Sequence, residues 1–202
     1  MTVPLRRRSV ALVAILALTT ACTSSHGSAG KTSSTAKTRG TAAASSAAET
    51  GTPTIDQLKA ALIPASAITV DKFTLTGTTP VSQSGAVGIS GVYANPDHKR
   101  VVSIILIHFP TAAYAQAGLA PTQNAAATEL TRNPASDTPV DLGQGTAHLY
   151  QGSNETGPLS IIVFAEGNYI VTMEFVSKAK GDGVPAKIVT DLAKAQDAKI
   201  KS

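Results

Sequence analysis

The chain has 202 residues, 43% of them hydrophobic but only 4% aromatic, with no Trp and one Cys. One thiol cannot build an internal disulfide framework or supply the thiolates of a zinc ribbon or an iron–sulfur cluster, and no run reaches the ~20 apolar residues of a spanning helix. The formal net charge of +4 is concentrated at the start of the chain, which removes the main electrostatic argument for a nucleic-acid partner.

Arg6, Arg7 and Arg8 precede the apolar run VALVAILAL of residues 10–18. A basic segment, a short apolar segment and small residues before Cys22 have the order of a secretory signal peptide, predicted here over residues 1–21. Without it, Lys plus Arg falls from 17 to 14 against 13 acids, a net charge of +1. The end of this segment resembles a bacterial lipobox. Thr20, Ala21 and Cys22 match it; Thr19 stands where Leu is usual, with Leu18 one place earlier. The resemblance implies cleavage between Ala21 and Cys22 and transfer of a diacylglycerol to the Cys22 thiol. Two acyl chains, at ~0.8 kcal/mol per buried methylene, hold a protein stably on a bilayer. The alternative is a secreted protein cut elsewhere, which leaves an unpaired thiol in an exported chain.

Residues 23–52 carry Ser, Thr, Ala or Gly at 25 of 30 positions, and His26, Lys31, Lys37, Arg39 and Glu49 at the others. Such a segment buries too little apolar surface to offset its ordering entropy. It is expected to be a disordered tether, spanning roughly 30 Å as a flexible chain.

A domain is predicted over residues 53–202, near neutral with 11 basic and 12 acidic residues and long enough to bury one core. Thr54 is a candidate N-cap for a short helix carrying Ile55, Leu58 and Leu62 and ending near Pro64. Strands are expected over 67–76, 86–94 and 100–109. The last is apolar on both faces, the pattern of a central strand covered on two sides. Asn95-Pro96-Asp97 marks the turn before it. A helix over 111–130 is interrupted or kinked at Pro121. Further strands follow at 146–150, 159–165 and 169–177, the last two joined by Gly167-Asn168, a tight-hairpin pair. A final helix over 185–200 turns Ile188, Val189, Leu192, Ala193, Gln196 and Ile200 inward, with Asp182 able to cap it. Each half thus reads strand–strand–helix. The expected class is α+β, a single domain in which an antiparallel sheet is packed by helices. This pattern resembles small actinobacterial surface lipoproteins, including those with a PsbP/Mog1-like fold, and the extracellular sensor domains of some receptor kinases. These families are mostly binding or interaction domains, and no motif residue carries a site across.

The search for chemistry is largely negative. His26, His98, His108 and His148 lack the spacing of a metal-ligand pair. His108 reads as a core-edge residue with a hydrogen-bond partner and His148 as half-exposed structure. Gly88-Ile89-Ser90-Gly91 falls short of a nucleophile elbow. Gly143-Gln144-Gly145 begins a phosphate-loop pattern, but His148 stands where its last Gly belongs. Glu166 falls at a hairpin turn, Asp137 and Asp141 in a loop, and Glu174 in a strand, facing solvent. Asn154-Glu155-Thr156 matches a glycosylation sequon. The Lys-rich end, residues 178–201, reads as a solvated helix face. No cofactor and no nucleic acid are expected. The reading is a lipoprotein anchored by Cys22 to the outer face of the cell membrane, whose domain binds a protein partner or a small apolar, lipid-like ligand without catalysis. The competing reading is a cell-wall hydrolase with a dispersed site drawn from residues such as His148, Glu174 and Asp141.

Overall fold

The computed structural model describes residues 51–202, except 70, 84, 144, 145 and 179–182 and the side chains of 132–135. Cys22, the leader, most of the tether and Asp182 lie outside the described residues. The domain opens with α1 (Ile55–Ala61), and its start follows the local chemistry. Thr54 and Gln57 form a reciprocal capping box: the Gln57 N–H donates to Thr54 Oγ1 at 3.3 Å and the Thr54 N–H to Gln57 Oε1 at 2.7 Å.

The chain then forms a 3-10 turn (Ala65–Ala67) and three strands, β1 (Thr74–Gln83), β2 (Ala86–Ala94) and β3 (Arg100–His108). Helix α2 (Ala112–Thr128) carries it to four more strands, β4 (Arg132–Asp141), β5 (Thr146–Asn154), β6 (Gly157–Glu166) and β7 (Tyr169–Ser177), and α3 (Ala186–Lys201) closes the domain. All seven strands join one antiparallel sheet in the order β1-β2-β3-β7-β6-β5-β4. Each half is therefore a meander ending in a helix, and the two meanders meet at β3 and β7. The α+β class holds, and β3, apolar on both faces, is central as its pattern requires.

Two expected boundaries are wrong, and both concern the sheet's outer edges. The strand expected at 67–76 begins only at Thr74, because Asp71 and Lys72 adopt φ values of +61° and +51° and turn the chain. Strand β4 falls where the sequence pattern offers only a loop leading into a strand at Asp137 and Asp141. Edge strands are paired on one side only, so they need no apolar alternation and tolerate Pro. Pro80 sits in β1, Pro134 and Pro139 in β4, and both edge pairings carry a register shift. Helix α2 also differs: it runs through Pro121 without a break. Its buried Ala115, Leu119 and Ala126 pack on the sheet, and the Thr122 hydroxyl donates to the Gly118 carbonyl at 2.8 Å. The N-cap of α3 is Pro185, without a side-chain cap bond.

The helices divide between the two sheet faces. Helices α1 and α3 cover one face through Leu58, Val189, Leu192 and Ala193, which pack with Ile89, Ile104, Leu106, Ile162, Phe164, Met173 and Phe175. Helix α2 lies over β5, β6 and β7 on the other face, against Ile161, Val163 and Ile170. Close glycines set both docking distances. A Cβ at Gly91 would meet Leu62 Cδ1 at 2.8 Å, and one at Gly118 would meet Ile170 Cδ1 at 2.9 Å. Gln196, fully buried on the inward stripe of α3, ties that helix to the end of α1: it accepts from the Ile63 N–H at 3.1 Å and donates to the Ala61 carbonyl at 2.8 Å. Tyr93 adds a hydroxyl bond to the Ile63 carbonyl at 2.7 Å, and burial pushes its phenol up to about 12.

Candidate functional site

A cavity of about 40 Å³ lies where β3 begins and β7 ends. Its walls follow from strand alternation and helix periodicity. Val102 and Phe175 stand on the face that receives α3; Ile188 and Leu192 come from the first turns of α3; Ile68 and Phe73 come from the segment joining the 3-10 turn to β1. At its rim the Arg100 guanidinium donates from Nη1 to Asp71 Oδ2, and both side chains are 32% exposed. The carboxylate partner is thus supplied by the turn at Asp71 and Lys72, whose left-handed backbone L-residues seldom adopt. Sequence reading named neither Arg100 nor Asp71. The one available signal was the Lys99-Arg100 pair entering a strand apolar on both faces. A second, larger hollow of about 230 Å³ is lined by Gly51, Thr52, Gly85, Val87, His108, Pro110 and Thr111, where the chain joins the domain.

The carboxylates fall into two groups that the sequence did not bring together. Glu174, expected to face solvent, is a correction: it is half-buried. Its face of β7 holds Thr172 and Val176, with Ser103 of β3 and Ile161 of β6 opposite. Burial, and then the negative charge of Glu129 after the end of α2, push its carboxyl up to about 7. Burial raises Glu129 as well. Glu166, at the β6–β7 turn as expected, is buried together with Asp197 of α3. Lys201 spans the two, 2.7 Å from Asp197 and 3.3 Å from Glu166.

The dispersed hydrolase site does not assemble as expected. His148 Nδ1 lies 2.6 Å from Asp137, not Asp141, and its ring stacks on Tyr150 at 6.0 Å. Asp141 is exposed and pairs in register with Thr146 at the β4–β5 hairpin, while strand β6 separates Glu174 from β5. His148 is part-exposed, at 28%, as the sequence suggested. His108 is buried at the edge of the core. Its contact there is the edge of Tyr169, ring centroids 4.9 Å apart, and burial lowers its pKa. Ser90 lies inside β2 opposite Ile105, and His98 in the β2–β3 turn with φ +53°. Asn154-Glu155-Thr156 makes the β5–β6 hairpin, where Asn154 Oδ1 accepts from the Thr156 N–H at 2.9 Å. Among the described residues no three His, Cys, Asp or Glu side chains converge as a metal site, and no helix is long and apolar enough to cross a membrane.

No protein-family model and no curated protein matches the chain. Among solved structures, the extracellular domain of PknH from Mycobacterium tuberculosis has a similar fold, with a TM-score of 0.52 at 12% identity. The match covers 75% of this chain and 99% of that one. What the two share is the fold.

Proposed function

We propose that this chain is an extracytoplasmic lipoprotein whose domain binds a small apolar ligand or a protein partner without catalysis. Cleavage between Ala21 and Cys22 and lipid on the Cys22 thiol would hold it on the outer face of the cell membrane, with residues 23–52 as a tether. The observation that carries this reading is a basic and then apolar segment running up to the lone Cys22, joined to a domain whose fold resembles an extracellular domain. The apolar cavity beside Arg100 supports the ligand option. Intact mass of the chain from native membranes, beside Cys22→Ala, is the test. A mass for residues 22–202 plus a diacylglyceryl group, lost in the variant, is expected; an unmodified soluble species cut elsewhere overturns the anchor.

A second reading, a cell-wall hydrolase, draws on one observation: the short His148–Asp137 pair, the geometry by which a carboxylate orients an imidazole base. Release of soluble fragments from purified cell wall by the wild-type chain, lost in His148→Ala at unchanged Tm, would establish it.

A further inference from the structure

We propose that the cavity between the start of β3 and the first turns of α3 takes the apolar end of a small carboxylate, whose anion replaces Asp71 on the Arg100 guanidinium. This rests on the binding reading above and names its ligand class. Three observations converge at one place. The cavity walls are apolar, with Phe73, Val102, Phe175, Ile188 and Leu192 turned toward it. The rim carries a guanidinium already holding a carboxylate, so the anion-binding geometry is built. That carboxylate belongs to a turn with two consecutive non-glycine residues in left-handed backbone.

Size sets the ligand class. One water needs about 10–15 Å³ of such space, so the cavity of about 40 Å³ accepts roughly three or four carbon atoms. It is far below the ~300 Å³ at which whole drug-sized ligands are enclosed. The occupant is therefore a short aliphatic chain or a branched side chain ending in carboxylate: a free short-chain acid, or the carboxy terminus of a peptide with an aliphatic last residue. Charge sets the sign. A ligand amine in the same position would face Arg100 and be repelled, whereas a carboxylate exchanges one charge-assisted pair for another and fills the apolar space at the same time.

The test uses the whole chain, methyl-labelled, titrated with pentanoate, with N-acetyl-leucine as the peptide-terminus mimic, and with pentanol and pentylamine as charge controls. Pentanoate or N-acetyl-leucine should shift the methyl signals of Val102, Ile188 and Leu192, and the tighter of the two identifies the source. Arg100→Gln should weaken that binding about tenfold, and Asp71→Asn should strengthen it severalfold by removing one internal competitor. A variant that merely misfolds cannot give the second result. Pentanol or pentylamine binding as well as pentanoate, or weaker binding in Asp71→Asn, overturns the carboxylate assignment. Absence of any methyl shift overturns the cavity as a ligand site. Neither outcome touches the mass test of Cys22, and a failed mass test leaves the cavity result standing, so the two readings fail separately.

Discussion

The two faces of the sheet are built from the same strands and serve different ends. Among the described residues, the apolar cluster between one face and α1 and α3 contains 21 buried residues, and the cluster between the other face and α2 contains 10. On β7 the contrast is one residue wide. Met173 and Phe175 point into the larger cluster, and Glu174 between them points to the other side. Helix α2 packs over β5, β6 and β7, and on the same face Val92, Ile105 and Ile107 of β2 and β3 keep part of their surface in water. A fully covered face gains stability from every alternate residue. On the half-covered face Glu174 and His148 lie near solvent; the covered face also holds polar groups, Glu166, Asp197 and His108, and there Lys201 pairs with the two carboxylates. Burying a charge costs least where water remains within reach.

The comparison is broken most strongly from the covered side. Phe175→Ala should cost about 3–5 kcal/mol, read from urea denaturation, by removing a side chain that is 2% exposed. It should also enlarge the cavity that Phe175 lines. Ile105→Ala, on the half-covered face, should cost less, about 1–2 kcal/mol. Equal costs would show that something else covers β3 in solution.

Glu174 sharpens the comparison through pH. Folded, its carboxyl keeps a proton up to about 7, against an ordinary value of 4.5. Between those values the folded chain binds more protons than the unfolded one. Stability therefore falls as pH rises from about 4.5 to about 7 and stays lower above that. Glu174→Gln should remove this slope and raise stability at pH 8 by about 2–3 kcal/mol, with little change at pH 4. Glu129→Gln should act in the same direction and less, since it removes only the second cause of the shift. His108 works the other way: burial lowers its pKa below 6.5, so its contribution is lost as pH falls through that value toward the folded pKa. His108→Phe should flatten the acid side of the stability profile.

Smaller effects lie at the edges of the two faces. Lys201→Met should lower Tm by a few degrees, because it leaves the buried Glu166 and Asp197 carboxylates facing each other without their cation. His148→Ala should change stability by no more than about 1 kcal/mol, since Asp137 is 52% exposed and water screens the pair. A larger loss would mean that the His148–Asp137 pair is more closely enclosed in solution.

Much of this was legible one residue at a time. The N-cap at Thr54, the turn at Asn95-Pro96-Asp97, the Gly167-Asn168 hairpin, the central position of β3 and the inward stripe of α3 all follow from local rules of capping, turn chemistry and periodicity. These elements carry their reasons within a few residues. Strands β1 and β4 do not. Their Thr, Ser and Pro residues satisfy no alternation, and they are strands only because β2 and β5 offer a free edge to pair with. Pro121 does not end α2, since its local penalty is outweighed by packing of the rest of the helix on the sheet.

The sequence by itself determined the α+β class and the expectation of an exported, tethered chain with one distinctive cysteine. Only the tertiary structure decided which polar groups meet. Arg100 and Asp71 are 29 residues apart, Lys201 reaches Glu166 from the far end of the chain, and Glu174 finds Glu129 across the gap between a strand and a helix end. The strength of a charge interaction depends on the distance between the groups and on how deeply they are buried. Their outcome is written in the distances of the folded chain, which spacing along the sequence does not encode.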